Sequence, residues 1–154
     1  MHMNIFIIGD RQIGKSTRIQ QMIEDAKADK PDLKIGGFYT KADGENIFMQ
    51  YASNPAKSFI VGKRKVCGYE EAFNTDGVAL LKDPSTREAD LIIMDEIGWM
   101  ESSASKFSSQ VLETLDMATR CGSSVLGVLR KGCESDLILT IKNRPDVLII
   151  NLDD

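Results

Sequence analysis

The sequence predicts an α/β fold: a mostly parallel sheet flanked by helices, with one small antiparallel insertion. Three observations predict it. Short continuous apolar runs at residues 4–8, 90–96, 124–129 and 147–151 read as strands buried on both faces. Stretches with apolar residues at helical spacing separate most of them. Between residues 36 and 62, by contrast, turn signals follow one another too closely to leave room for crossover helices.

Taken in order, strand 4–8 leads into a glycine-containing segment at 9–15 and a helix over 16–28, whose Ile19, Met22, Ile23 and Ala26 share one face. Pro31 ends that helix, and residues 33–40 begin the next strand. Turns at Asp43-Gly44 and Asn54-Pro55 set off strands 46–51 and 58–62 as a meander. Ala72, Phe73, Val78, Leu80 and Leu81 predict a helix over 69–82, interrupted or kinked near Gly77. Strand 90–96 ends in two carboxylates. Helix 104–119 carries Phe107, Val111, Leu115 and Ala118 on one face and stops at Gly122. Strand 124–129, a helix over 134–142 and strand 147–151 complete the pattern, which at 154 residues suits one domain over 1–154 with its own core.

Composition narrows the function. A net charge of −4 with dispersed lysines and arginines offers no basic field, so no nucleic-acid partner is expected. The apolar run at 4–8 is far shorter than a membrane span, and neither a basic leader nor a secretory cleavage pattern is present, so a cytoplasmic protein without a membrane partner is expected. Cys67, Cys121 and Cys133 lack paired spacing and read as reduced thiols. With His2 as the only histidine, proton transfer falls to carboxylates, lysines or water.

Residues 9–16 read GDRQIGKS, an unbroken G-x-x-x-x-G-K-[ST] between an apolar strand and a helix. Such a loop points successive backbone N–H groups at a phosphate while the following helix adds its dipole. Gly9, Asp10, Arg11, Gln12, Ile13, Gly14, Lys15 and Ser16 are therefore the candidate nucleotide-binding set. Lys15 is expected to reach the outer phosphates and assist catalysis, and the Ser16 hydroxyl to hold Mg²⁺. Arg11 either adds a phosphate contact or faces solvent. Asp95 ends its strand at the sheet edge where ligands collect, which makes it the second candidate Mg²⁺ ligand. Glu96, next to it, is placed to orient and deprotonate water. The bland alternative for Asp95-Glu96 is a solvated pair closing a strand.

The segments IIMDEIGWME (92–101), GGFYT (36–40), CGYEEAF (67–73) and VLRKG…IKNRPDVLIINL within 128–152 resemble the small P-loop nucleoside-triphosphatase family that includes the cancer-related nucleoside-triphosphatase and its archaeal and bacterial relatives. The resemblance implies a RecA-like sheet with strand 124–129 between the loop strand and the Asp95 strand. It implies Mg²⁺-dependent hydrolysis of nucleoside 5′-triphosphates, ATP or GTP, with loose base preference. Gly9, Gly14, Lys15, Ser16 and Thr17 match the family's nucleotide loop, Asp95 and Glu96 its acidic pair, and Gly98 and Glu101 complete that motif. Arg130 or Lys131 stands where relatives carry basic residues, either to neutralise charge on the transferring phosphoryl group or as a solvated strand end.

Three places depart from the family pattern. Trp99 replaces a usual lysine and either stacks on a base or caps the core; Lys41-Ala42-Asp43-Gly44 replaces acidic and arginine residues; Asp10-Arg11 replaces small ones. Two other readings, one of them non-enzymatic, stay open on the same residues. One is transfer of the γ-phosphoryl group to a small acceptor, for which Lys63-Arg64-Lys65 is the nearest thing to a basic lid. The other is a nucleotide-dependent switch, in which Lys15 and Asp95 matter more than Glu96.

Overall fold

The computed structural model describes residues 3–9, 15–98, 101 and 103–152. Among these residues one sheet runs in the strand order β5-β4-β3-β2-β6-β7-β1-β8. Its centre is β6 (Leu91–Ile97), β7 (Ser124–Arg130) and β1 (Asn4–Gly9), all parallel, with β8 (Val147–Asn151) beside β1 and β2 (Ile35–Asp43) beside β6. Strand β7 lies between β1 and β6, as the family resemblance implies.

The antiparallel insertion is real and longer than the meander read from turns. Strand β2 continues to Asp43 and pairs with β3 (Asn46–Tyr51), which pairs with β4 (Ser58–Lys63) and then β5 (Cys67–Gly68). Residues 41–43, Lys-Ala-Asp, lie beyond the 33–40 stretch read as strand, yet the ladder Lys41–Phe48, Ala42–Ile47 and Asp43–Asn46 holds them in it. Cross-strand pairing outweighs weak local preference there. The Asp43-Gly44 signal fell in the right place: Gly44 closes the hairpin at φ 62°.

Each face of the sheet is covered by helices chosen by spacing. Helix α1 (Lys15–Asp29) buries Ile19 and Ile23 against Ile7, Leu91, Ile93, Leu126 and Val128. On the other face α5 (Ser105–Cys121) buries Phe107, Val111, Leu115 and Ala118, joined by Leu137, Ile138 and Ile141 of α6 (Asp136–Lys142). Gly122, at φ 79°, ends α5 with its N–H on the Ala118 carbonyl.

The interruption read near Gly77 is a π-helical turn at Phe73–Gly77, joining α2 (Glu70–Ala72) to α3 (Val78–Lys82). Its cause is packing. The Phe107 ring lies against Gly77, where a β-carbon would come within 2.8 Å of it, and packs on Phe73 and Phe38 at centroid distances of 5.2 and 5.9 Å. The same turn aims Asn74 Oδ1 at the Phe107 N–H, 3.0 Å away. It thereby caps α5, whose own N-cap, Ala104, has no side-chain acceptor.

The short helix α4 (Pro84–Arg87) was not read from the sequence, although Asp83-Pro84-Ser85 carries a cap and a first-turn proline. Asp83 Oδ2 accepts from Ser85 N at 3.0 Å. Helix α4 leans on the Gly36-Gly37 pair of β2, and Thr86 Oγ1 accepts from Gly37 N while donating to the Leu80 carbonyl. None of the described helices is long and apolar enough to cross a membrane.

A polar cluster ties α5 to β1 and β8 at the end of the sheet where β1 begins. Arg144 donates to Asp146 through Nε and Nη2, both at 2.8 Å, and to Asp116 at 2.7 Å; Thr119 Oγ1 donates to Asp146 at 2.8 Å. These bonds, Arg144 first, hold the Asp146 carboxyl down at about 2, from an ordinary 3.8. A carboxyl depressed by folding stabilises the protein above its unfolded value and loses that contribution as pH falls through its folded one. The contribution of Asp146 is therefore expected to disappear between pH 3.8 and about 2. In Asp146→Asn we expect a loss of about 2 kcal/mol at neutral pH and an unfolding midpoint flatter than wild type across that acid window. Urea titrations at several pH values check both.

Candidate active site

Strands β6, β7 and β1 end side by side, and the predicted chemistry gathers at those ends. Gly9, the first glycine of the loop, is register partner to Arg130, the last residue of β7. Asp95 pairs with Val128 on the other side of β7 and with Tyr39 of β2. At about 4.8 Å per strand and about 3.3 Å for each of the two residues of offset, the Asp95 and Gly9 backbones stand roughly 12 Å apart.

The strand carrying the acidic pair changes register where it reaches the edge. Asp95 opposes Val128, but Ile97 opposes Leu129, so β6 spends one extra residue, Glu96, against β7. The packing records it. Leu91 and Ile93 face α1, Ile92 and Met94 face α5, and Ile97 joins the α5 side instead of alternating away from it. Asp95 and Glu96 are both left half-buried at the mouth of the sheet.

Glu96 Oε1 lies 3.7 Å from Arg130 Nη1, with about a third of the Glu96 side chain exposed. The guanidinium thus stands beside the glutamate and one strand ladder from Gly9. Lys131, the other basic candidate, is exposed.

Helix α1 opens at Lys15 on the same edge, and its first turn contains no acidic side chain to occupy the positive end of the helix. Thr17, in that turn, is exposed. Asp10, Arg11, Gln12, Ile13, Gly14 and Trp99 lie outside the described residues, as do the side chains of Lys15 and Ser16.

Two side chains join the site without having been read as members from their own chemistry. Tyr39 sits beside Asp95, takes a side-chain hydrogen bond from Gln20 of α1, and has Lys41 Nζ 5.1 Å from its ring centroid. Burial first, with the Asp95 charge adding to it against the Gln20 bond, raises its phenol above the ordinary value. It stays a neutral donor. Only strand pairing could reveal this, because fifty-odd residues separate it from Asp95.

Glu101 is the second. Its side chain is 4% exposed and its Oε1 accepts from the Gly98 N–H. Burial, reinforced by the nearby Glu96, pushes its carboxyl up to about 8, against the pull of the amide bonds and of Arg130. The motif signal marked its position but not its state.

For a divalent cation the described carboxylates on this edge are those of Asp95 and its neighbour Glu96. Among the described residues no group of three or more His, Cys, Asp or Glu side chains converges on a point. Hard carboxylate oxygens with no third such ligand among the described residues suit Mg²⁺, which keeps waters and phosphate oxygens as its remaining ligands, and do not suit a Zn²⁺ cage. The residues present therefore fit Mg²⁺.

The NTPase family model matches residues 43–154, a span that contains Asp95, Glu96, Glu101 and Arg130. The chain belongs to this family. Its curated relatives include the nucleoside-triphosphatase THEP1 of Methanosarcina barkeri, 28% identical over 97% of this chain and 88% of that protein. The THEP1 of Methanocaldococcus jannaschii is 29% identical over 92% and 91%, and that of Metallosphaera sedula 34% identical over 64% and 57%. The crystal structure of THEP1 from the hyperthermophile Aquifex aeolicus superimposes with a TM-score of 0.73 over 97% of this chain and 90% of that one, at 22% identity, which establishes the shared P-loop fold. The family match begins beyond the glycine loop, so the loop motif and the family assignment are independent pointers to one chemistry.

Proposed function

We propose that this nucleoside-triphosphatase works with Mg²⁺ on ATP and GTP, with loose base preference, and releases diphosphate and phosphate. One observation carries the reading: the loop strand, the cation Arg130 and the carboxylate Glu96 meet at the ends of adjacent strands, with Arg130 paired to Gly9 in the ladder and 3.7 Å from Glu96.

In this reading the loop amides from Gly9 to Ser16 and the Lys15 ammonium hold the phosphates, and Thr17 completes the loop set. Asp95 and Ser16 would hold Mg²⁺, which supplies charge neutralisation at the β- and γ-phosphates. Glu96 accepts a proton from water as its oxygen attacks the γ-phosphorus. The bond from that phosphorus to the β–γ bridging oxygen breaks, and the electron pair leaves with the diphosphate. Arg130, 3.7 Å from Glu96, orients that carboxylate and neutralises charge on the transferring group. A net charge of −4 offers no broad basic field for a nucleic-acid partner, and the proposed substrate is a free nucleotide in the cytoplasm.

The experiment is phosphate release from the purified chain with each nucleoside triphosphate and no acceptor added. We expect turnover with Mg²⁺, a fall of at least about a hundredfold on chelation, and a comparable fall in Lys15→Ala. Release unaffected by the chelator would remove Mg²⁺ from the scheme. Release that requires a nucleoside or other acceptor would move the reaction to phosphoryl transfer.

A further inference from the structure

The Gly98 backbone, next after β6, is held by a buried carboxyl that takes no part in the proposed proton transfer. Glu101 Oε1 accepts the Gly98 N–H, and the side chain is sealed from solvent at 4% exposure. Gly98 in turn forms the wall against which Arg130 lies: a β-carbon at that position would stand 3.3 Å from Arg130 Cδ and 3.4 Å from its Cβ. Arg130 reaches Glu96 at 3.7 Å. The contacts therefore form a line from Glu101 through Gly98 and Arg130 to Glu96.

We propose that Glu101 is a positioning residue for the hydrolytic centre, whose carboxyl fixes the Gly98 backbone and so keeps Arg130 seated on Glu96. The proposal rests on hydrolysis being the reaction. Glu101 itself touches neither substrate nor water in this scheme.

The form of Glu101 that fits this task is the neutral acid. Among the described residues the charged groups facing it are Glu96 of β6 and Arg130 of β7. An ionised Glu101 would repel Glu96 and compete with it for the one guanidinium they share. With burial holding its carboxyl up at about 8, the latch stays neutral at pH 7 and ionises in the mildly alkaline range. Gln is the uncharged isostere: it keeps an oxygen for the Gly98 amide and cannot ionise. Ala removes the acceptor altogether.

The test compares wild type, Glu101→Gln, Glu101→Ala and Gly98→Ala from about pH 6 to about pH 9. We expect Glu101→Ala and Gly98→Ala to lower kcat about tenfold with KM within about twofold, and Glu101→Gln to restore kcat to within about threefold of wild type. Wild type should lose kcat above about pH 8 while Glu101→Gln does not. The chain's single tryptophan, Trp99, lies between Gly98 and Glu101 in sequence and gives a readout that needs no turnover. Its fluorescence should titrate near pH 8 in wild type and stay flat in Glu101→Gln.

Glu101→Ala with wild-type kcat, Glu101→Gln as defective as Glu101→Ala, or an alkaline limb and a fluorescence titration retained in Glu101→Gln would each overturn the proposal. If Glu101→Ala does not fold, the Gln variant and the fluorescence decide alone. Should wild type release no phosphate, the hydrolytic reading fails by that measurement, and the Trp99 titration still shows whether Glu101 holds the Gly98 backbone.

Discussion

Replacing Glu96 by Gln is expected to lower kcat for phosphate release by about 10²–10³-fold, or roughly 3–4 kcal/mol of transition-state stabilisation. The nucleotide should still bind with KM within about threefold of wild type, since the loop amides, Lys15 and Asp95 are untouched. The size of the effect follows from what the side chain does. Asp95 and Glu96 both stand at the mouth of the sheet, but only Glu96 occupies the extra position in the β6 register, and Arg130 lies 3.7 Å from its carboxylate. A glutamine there preserves shape and can still accept a hydrogen bond from the guanidinium, but it cannot take a proton from water at neutral pH. Single-turnover measurements with saturating nucleotide separate this from a binding defect. A kcat within about threefold of wild type would sink the general-base assignment and leave Glu96 as an anchor for Arg130.

Gly37→Ala is expected to be the most damaging single methyl in the sheet. Gly37 has φ 90°, its register partner is Ile93 of β6, and an added β-carbon would overlap the Ile93 carbonyl and stand 2.6 Å from its amide nitrogen. Neither side can yield. Ile93 is fully buried in the middle of β6 between β2 and β7, and the Gly37 N–H is already committed to Thr86 Oγ1 at 3.2 Å. We expect a loss of at least about 3 kcal/mol, which for a chain of this size is a drop of about 6–12 °C in Tm. Gly44→Ala is the control. Gly44 also has positive φ, at 62°, but its β-carbon would meet nothing within 4 Å, so only the backbone term of about 1 kcal/mol remains. Equal losses in the two variants, measured by thermal and urea unfolding, would show that conformation alone, rather than the collision with β6, sets the penalty. The consequence reaches the site, because β2 also carries Tyr39 to Asp95.

These two positions differ in how far the sequence betrays them. Glu96 was legible because its chemistry is local: an apolar strand that ends in Asp-Glu in a chain with a phosphate-loop motif places the carboxylates at a ligand-bearing edge. Gly37 was visible only as part of a family-like segment. Its reason, close passage of β2 against the Ile93 peptide with α4 behind, exists only once the strands are paired. The same holds for Asn74, which reads as an ordinary polar residue in a helix and turns out to cap α5 from 33 residues away.

By itself, then, the sequence determined the quantities that depend on near neighbours: the alternation of strands and helices, the apolar faces of α1 and α5, the hairpin at Gly44, the stop at Gly122, and the position of Asp95 and Glu96 at the end of their strand. Spacing and turn chemistry act over a few residues, and a chain records them directly. Tertiary structure decided what depends on contact between distant segments. It set Arg130 beside Gly9 and Glu96, brought Tyr39 to Asp95, and bent the helix around Gly77 for the Phe107 ring. It also gave Glu101 a neutral carboxyl, because the cost of ionising a group is set by the solvent it has lost and the charges that surround it, and neither is written in the residues next to it.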